Sequence, residues 1–174
     1  LENNVFLVNV GTQKDTSRRA VEVANEYPEG VYATVGIHPI HTSKSYHDAD
    51  ELGPSFAKAS AGKGDKGFTS RGEEFNFEYY KKLALDEKVM AIGETGLDYY
   101  RMSSDKAQIS KQKEVFERHI ELAHEVKKPL MIHCRSAYGD LIDILNSLSS
   151  ILNSPSGIVH FFSGTKEDAK KLLE

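Results

Sequence analysis

The sequence predicts an α/β fold built on a parallel sheet, either an open doubly wound sheet or a TIM-type (β/α) barrel. Three observations lead there. Short apolar runs alternate with helix-period segments five times along the 174 residues. Those runs are apolar on both faces instead of alternating, which suits strands covered on both sides. The length suits one domain, residues 1–174, large enough to bury a core without disulfide staples.

The first run is Val5-Phe6-Leu7-Val8-Asn9-Val10, closed by Gly11. Asp15, Thr16 and Ser17 offer N-caps for a helix whose Ala20, Ala24 and Tyr27 recur at helical spacing until Pro28. The second run, Val31 to Val35, leads into Gly36-Ile37-His38-Pro39. The third, Val89-Met90-Ala91-Ile92-Gly93-Glu94, is preceded by a short helical stretch carrying Phe77, Tyr80 and Ala84. The longest helix then spans about Asp105 to Lys128, with Ile109, Phe116, Ile120 and Ala123 facing inward and Asp105 with Gln108 as a capping box. The fourth run, Pro129 to His133, precedes a helix bearing Leu141, Ile144, Leu145 and Leu148. The fifth, Gly157 to Phe161, leads to a helix start at Thr165-Lys166-Glu167-Asp168. Between Gly53 and Gly72 lie five of the thirteen glycines among Ser, Lys and Asp, which reads as a flexible surface insertion. Its Gly62-Lys63-Gly64 lacks the spacing of a phosphate loop and follows no apolar strand.

Composition excludes several classes. No apolar run approaches the roughly 18 residues of a membrane span. The single cysteine, Cys134, cannot form an internal disulfide, and no basic segment followed by an apolar one opens the chain, so the expectation is a cytoplasmic protein. A net charge of −4 argues against a protein that coats duplex DNA by neutralising phosphates, and for a local grip on any nucleic acid it handles.

The chemistry concentrates at strand ends. Glu94, His133 and His160 each stand at the C-terminal end of a predicted strand, and in a βα barrel those ends converge on one mouth. Any one of them alone reads as a structural residue. Together they form a plausible site for Zn²⁺, Mn²⁺ or Mg²⁺.

Four segments carry a resemblance. Gly36-Ile37-His38-Pro39, Ala91-Ile92-Gly93-Glu94-Thr95-Gly96-Leu97-Asp98-Tyr99-Tyr100, Ile132-His133-Cys134-Arg135 and His160-Phe161-Phe162-Ser163-Gly164 resemble, in order, the signature segments of the TatD family, metal-dependent deoxyribonucleases of the amidohydrolase-like barrel superfamily. The resemblance implies Glu94, His133 and His160 as metal ligands, with Glu94 touching both of two divalent ions, and Arg135 and His38 as substrate-pocket residues. Asp98 and Tyr99 are expected to support the loop after Glu94, and Cys134 to point away from the site. The family's opening His-x-His pair and its closing catalytic aspartate have no match, so the chain reads as an incomplete barrel of about five of eight strand–helix units, truncated at both ends. The implied activity is hydrolysis of phosphodiester bonds in DNA, trimming single-stranded or damaged ends, by a protein that is monomeric when complete. Hydrolysis of another ester or an amide on the same scaffold, or a non-catalytic fragment, are the alternatives.

Overall fold

Five parallel strands lie side by side in the order in which the chain makes them: β1 (Leu7–Val10), β2 (Val31–Val35), β5 (Val89–Asp98), β6 (Leu130–Arg135) and β7 (Ile158–His160). Each new strand of this sheet adds to the same edge. A doubly wound sheet would reverse its strand order at a switch point, so this winding is that of half a (β/α) barrel. Helices α1 (Lys14–Asn25), α2 (Phe77–Ala84), α3 (Lys106–Val126) and α4 (Tyr138–Ser147) fill the connections, and α5 (Lys166–Leu173) follows β7. The computed structural model describes residues 5–44, 46–48, 67–100, 105–148 and 157–173.

One core lies between the sheet and its helices. Along β6 the fully buried Leu130, Ile132 and Cys134 alternate with half-buried Met131, His133 and Arg135. The buried set joins Val35, Ile92, Phe116, Ile120 and Leu141 in one apolar cluster, which leaves His133 and Arg135 on the opposite face. Coverage on both faces holds for most of the central strands, Met90 at the start of β5 being exposed, but not at the edges, where Leu7, Val8 and Ile158 are exposed.

Local chemistry sets the boundaries. Helix α1 begins before the candidate caps: Gln13 is its N-cap, and the Thr16 hydroxyl accepts the N–H groups of Thr12 (3.0 Å) and Gln13 (2.8 Å). Ser17 is buried instead and donates to the Gly36 carbonyl at 3.2 Å. Asp105 caps α3 by accepting the Gln108 N–H at 3.0 Å, and the Gln108 amide answers to the Asp105 carboxylate at 2.7 Å. Thr165 and Asp168 form a reciprocal box before α5, at 2.9 Å and 3.1 Å.

Two sequence expectations change. Most of the glycine-rich stretch lies outside the described residues, but Gly67–Thr69 forms strand β4, paired antiparallel with β3 (Tyr46–Asp48). The expected irregular insertion is therefore regular at its end, because Phe68 and Thr69 meet His47 and Tyr46 across a ladder. Strand β5 also does not stop at Glu94. It runs to Asp98 through a bulge, with Gly93 opposite Met131 and Thr95 opposite Ile132, so Glu94 is the extra residue. Gly93 (φ 147°) and Gly96 (φ 138°) make that passage possible. A Cβ at Gly96 would stand 2.1 Å from the His133 carbonyl oxygen.

Behind the site, His119 of α3 is fully buried against Phe75, ring centroids 4.3 Å apart. Its Nε2 accepts the Ile37 N–H at 3.0 Å while Nδ1 donates to the Val115 carbonyl at 2.7 Å. Both contacts require the neutral ring, and burial holds its pKa down at about 4.

Two outcomes follow from these contacts. Gly96→Ala is expected to cost more than about 2 kcal/mol of stability, read from urea unfolding, because backbone strain and a steric clash coincide. An ordinary histidine in the unfolded chain protonates near 6.5, so the stabilisation tied to neutral His119 is complete above that pH. It is lost as pH falls towards about 4. In that window the stability of the natural protein should fall more steeply than that of His119→Gln, by up to about 1.4 kcal/mol per pH unit. Equal slopes for the two proteins would contradict the assignment.

Candidate metal centre

Three imidazoles converge on one carboxylate oxygen. Glu94 Oε1 lies 3.1 Å from His133 Nδ1, 3.4 Å from His160 Nδ1 and 3.8 Å from His38 Nε2. His38 follows the C-terminal end of β2, His133 and His160 lie in the C-terminal halves of β6 and β7, and Glu94 is the bulged residue midway along β5. The bulge turns Glu94 into this mouth, and the Glu94 N–H is fixed by the Gly11 carbonyl at the end of β1, at 3.2 Å.

The electrostatics follow from the packing. Burial opposes ionisation of Glu94, but its hydrogen bond to His133 and the neighbouring His38 and His160 outweigh it and hold the carboxyl at about 2. Burial likewise opposes the charge on His133, yet Asp98 and Glu94 on either side raise it to about 9. His38 is driven the other way, to about 3, by its own burial and by the proximity of His133, whose ring centroid is 4.2 Å away.

The donor set fits a divalent ion. Two donors each roughly 2.0–2.1 Å from a tetrahedral ion stand about 3.4 Å apart, and the Glu94–His133 and Glu94–His160 separations of 3.1 and 3.4 Å match that edge. His38, Glu94 and His133 also bring one donor atom each within 4.8 Å of one another. The tautomer separates His38 from the other two. Its Nδ1 accepts the Ile40 N–H at 3.3 Å, so the neutral ring carries its hydrogen on Nε2 and faces Glu94 as a donor.

Of the residues singled out in the sequence, Glu94, His133, His160 and His38 therefore come together. Arg135 shares the His133 face of β6 but lies over the Tyr100 ring, 3.5 Å from its centroid, rather than turning to Glu94. Cys134 points to the helix side, and burial pushes its thiol up to about 12. Asp98 does more than support a loop: its Oδ2 meets His133 Nε2 at 3.0 Å. The sequence signal for that contact was the four-residue step from Glu94 along one strand, hidden because the bulge changes which face each residue takes.

Residues 2–174 match the family model described as TatD related DNase. The chain belongs to this family. It is 34% identical over 168 residues to an uncharacterized metal-dependent hydrolase, YabD, of Bacillus subtilis (strain 168), covering 97% of this chain and 53% of that protein. It is 30% identical over 167 residues to the 3'-5' ssDNA/RNA exonuclease TatD of Edwardsiella piscicida, covering 96% of this chain and 52% of that one. The crystal structure of YJJV, a TatD homologue from Escherichia coli k12, superposes with a TM-score of 0.67 at 22% identity, over 97% of this chain and 52% of that one, and bears on the fold. The chain thus spans about half the length of the curated relatives it matches. Among the described residues no helix is long and apolar enough to cross a membrane.

A ligating imidazole must be neutral, and without metal the carboxylates beside His133 hold its second proton up to about pH 9. Apparent affinity for Zn²⁺ or Mn²⁺ should therefore rise with pH from 6 through about 9, which calorimetry in non-coordinating buffers measures. A flat profile would contradict a protonated His133 that gives up its second proton to the metal.

Proposed function

We propose that this chain supplies Glu94, His133 and His160 to the active site of a divalent-metal-dependent phosphodiesterase that trims single-stranded ends of DNA. The observation that carries the reading is the convergence of His133, His160 and His38 on Glu94 Oε1 at the mouth of a parallel barrel sheet. It is supported by membership of a metal-dependent hydrolase family in which relatives at about 30% identity are named as exonucleases. Glu94, His133 and His160 would hold divalent metal, which when bound would lower the pKa of a water and offset phosphate charge.

The chain's own groups take the remaining tasks. His38 stays neutral through the physiological range and presents Nε2–H towards the mouth, which suits donation to a phosphate oxygen. Arg135 keeps a planar guanidinium braced on Tyr100, able to meet a second phosphate oxygen while stacked. The family resemblance implies an aspartate as proton acceptor for water, and none of these 174 residues is assigned that role.

The test uses the full-length protein, single-stranded DNA and RNA, Mg²⁺ or Mn²⁺, and p-nitrophenyl esters as competitors. Expected is metal-dependent release of nucleotides, with Glu94→Ala lowering kcat/KM by more than about 100-fold. Hydrolysis of the carboxylic esters with DNA and RNA left intact would replace the nuclease reading with a different esterase. DNA cleavage unchanged in Glu94→Ala would remove the site from the chemistry altogether.

A further inference from the structure

Asp98 is held by more contacts than the support of a loop requires. Its backbone N–H and carbonyl are both engaged by one side chain, Gln112 of α3, whose Oε1 accepts at 2.8 Å and whose Nε2 donates at 3.1 Å. Gln112 is 1% exposed, and its Nε2 also reaches the Pro39 carbonyl in the turn that follows His38, at 3.4 Å. The two carboxylate oxygens of Asp98 are divided. Oδ1 accepts the Tyr100 N–H at 3.0 Å, and Oδ2 faces His133 Nε2 at 3.0 Å.

The opposite edge of the same imidazole faces Glu94, with Nδ1 3.1 Å from Oε1. An ionised carboxylate only accepts, so Nε2 must carry hydrogen for the Asp98 contact to be made. With Nε2 so occupied, Nδ1 is the ring atom that faces Glu94, and the position between Nδ1 and Oε1 takes a proton in the metal-free protein or a cation in its place.

We infer that Asp98 is a positioning residue of the metal centre: it fixes His133 in the orientation and tautomer that present Nδ1, together with Glu94, to a divalent cation. The inference rests on the reading of Glu94 and His133 as ligands. It adds that the ligating atom is Nδ1 and that Asp98, with both oxygens already engaged, acts through His133 and does not itself bind metal. A carboxylate behind a ligating imidazole is a general device for locking ring orientation and strengthening the donor, and its removal commonly weakens metal binding by roughly 10–100-fold.

The experiment titrates Co²⁺ into the full-length protein, following its visible absorption, in the natural sequence, Asp98→Asn, Asp98→Ala and Glu94→Ala. Urea unfolding of each metal-free protein runs alongside. In parallel, the natural protein with nitrogen-labelled histidine is loaded with cadmium and examined by NMR. Expected are Co²⁺ affinity about 10–100-fold weaker in Asp98→Ala, partial recovery in Asp98→Asn, which keeps an oxygen acceptor, and cadmium coupling to Nδ1 of His133 with hydrogen retained on Nε2. Unchanged Co²⁺ affinity in Asp98→Ala, or cadmium coupling to Nε2, would overturn the inference. So would a Co²⁺ spectrum in Asp98→Asn that has lost an oxygen donor, since Asp98 would then be a ligand. If Asp98→Ala fails to fold, Co²⁺ affinity in Asp98→Asn decides together with the cadmium spectrum, and an affinity equal to the natural protein's would overturn the inference. Natural Co²⁺ affinity in Glu94→Ala would instead overturn the metal-centre reading on which the inference rests.

Discussion

The Glu94 carboxylate sets the terms for everything around it. A half-buried anion in a protein interior needs compensation close by, and here His133 and His160 lie within hydrogen-bonding reach while His38 stands at 3.8 Å. That requirement couples elements far apart in sequence. If β2, β6 and β7 were displaced relative to β5, each would withdraw a partner from the same oxygen. The mouth is therefore organised around charge, while the helix-side face is organised around apolar packing, and the two meet at β5.

The backbone makes this geometry possible. A regular strand would alternate Glu94 and its neighbours between the two faces without exception; the bulge releases Glu94 from the ladder and lets the strand continue to Asp98. The cost is two residues in conformations open to glycine, Gly93 and Gly96, each pressed against the carbonyl of β6 that it passes. Helix α3 then secures the far end through Gln112, and the loop after β2 through His119 and Ile37. Two polar side chains on one helix face thus reach through the core to the site.

The fold was legible because its signals are local and repeated. Five apolar runs and their intervening helical periods are visible in the sequence, and strands β2 and β6 fall within a residue or two of the runs that predict them. Glu94, His133 and His160 were legible because each is a polar residue that closes an apolar run in the sequence, although β5 and β6 continue past Glu94 and His133. What escaped depends on long-range geometry. The length of β5 was hidden because Gly93 and Gly96 look like strand breakers until β6 is placed beside them. The Asp98–His133 contact spans 35 residues and a change of strand face, so periodicity along one strand could not reveal it. Strand β4 was hidden by the glycine-rich composition that precedes it, since its partner β3 lies some twenty residues upstream.

The lone cysteine illustrates what a face assignment means in practice. Cys134 follows His133 on β6, so strand alternation turns its sulfur away from the mouth and into the packing against the helices. With little exposure and a thiol that resists ionisation, it is a poor nucleophile towards solvent reagents. Burial and that resistance to ionisation lead one to expect slow reaction with maleimides and iodoacetamides in the native state. A cysteine placed at an exposed rim position would react on its own, so a fluorophore or spin label could report on the mouth without first removing the natural residue.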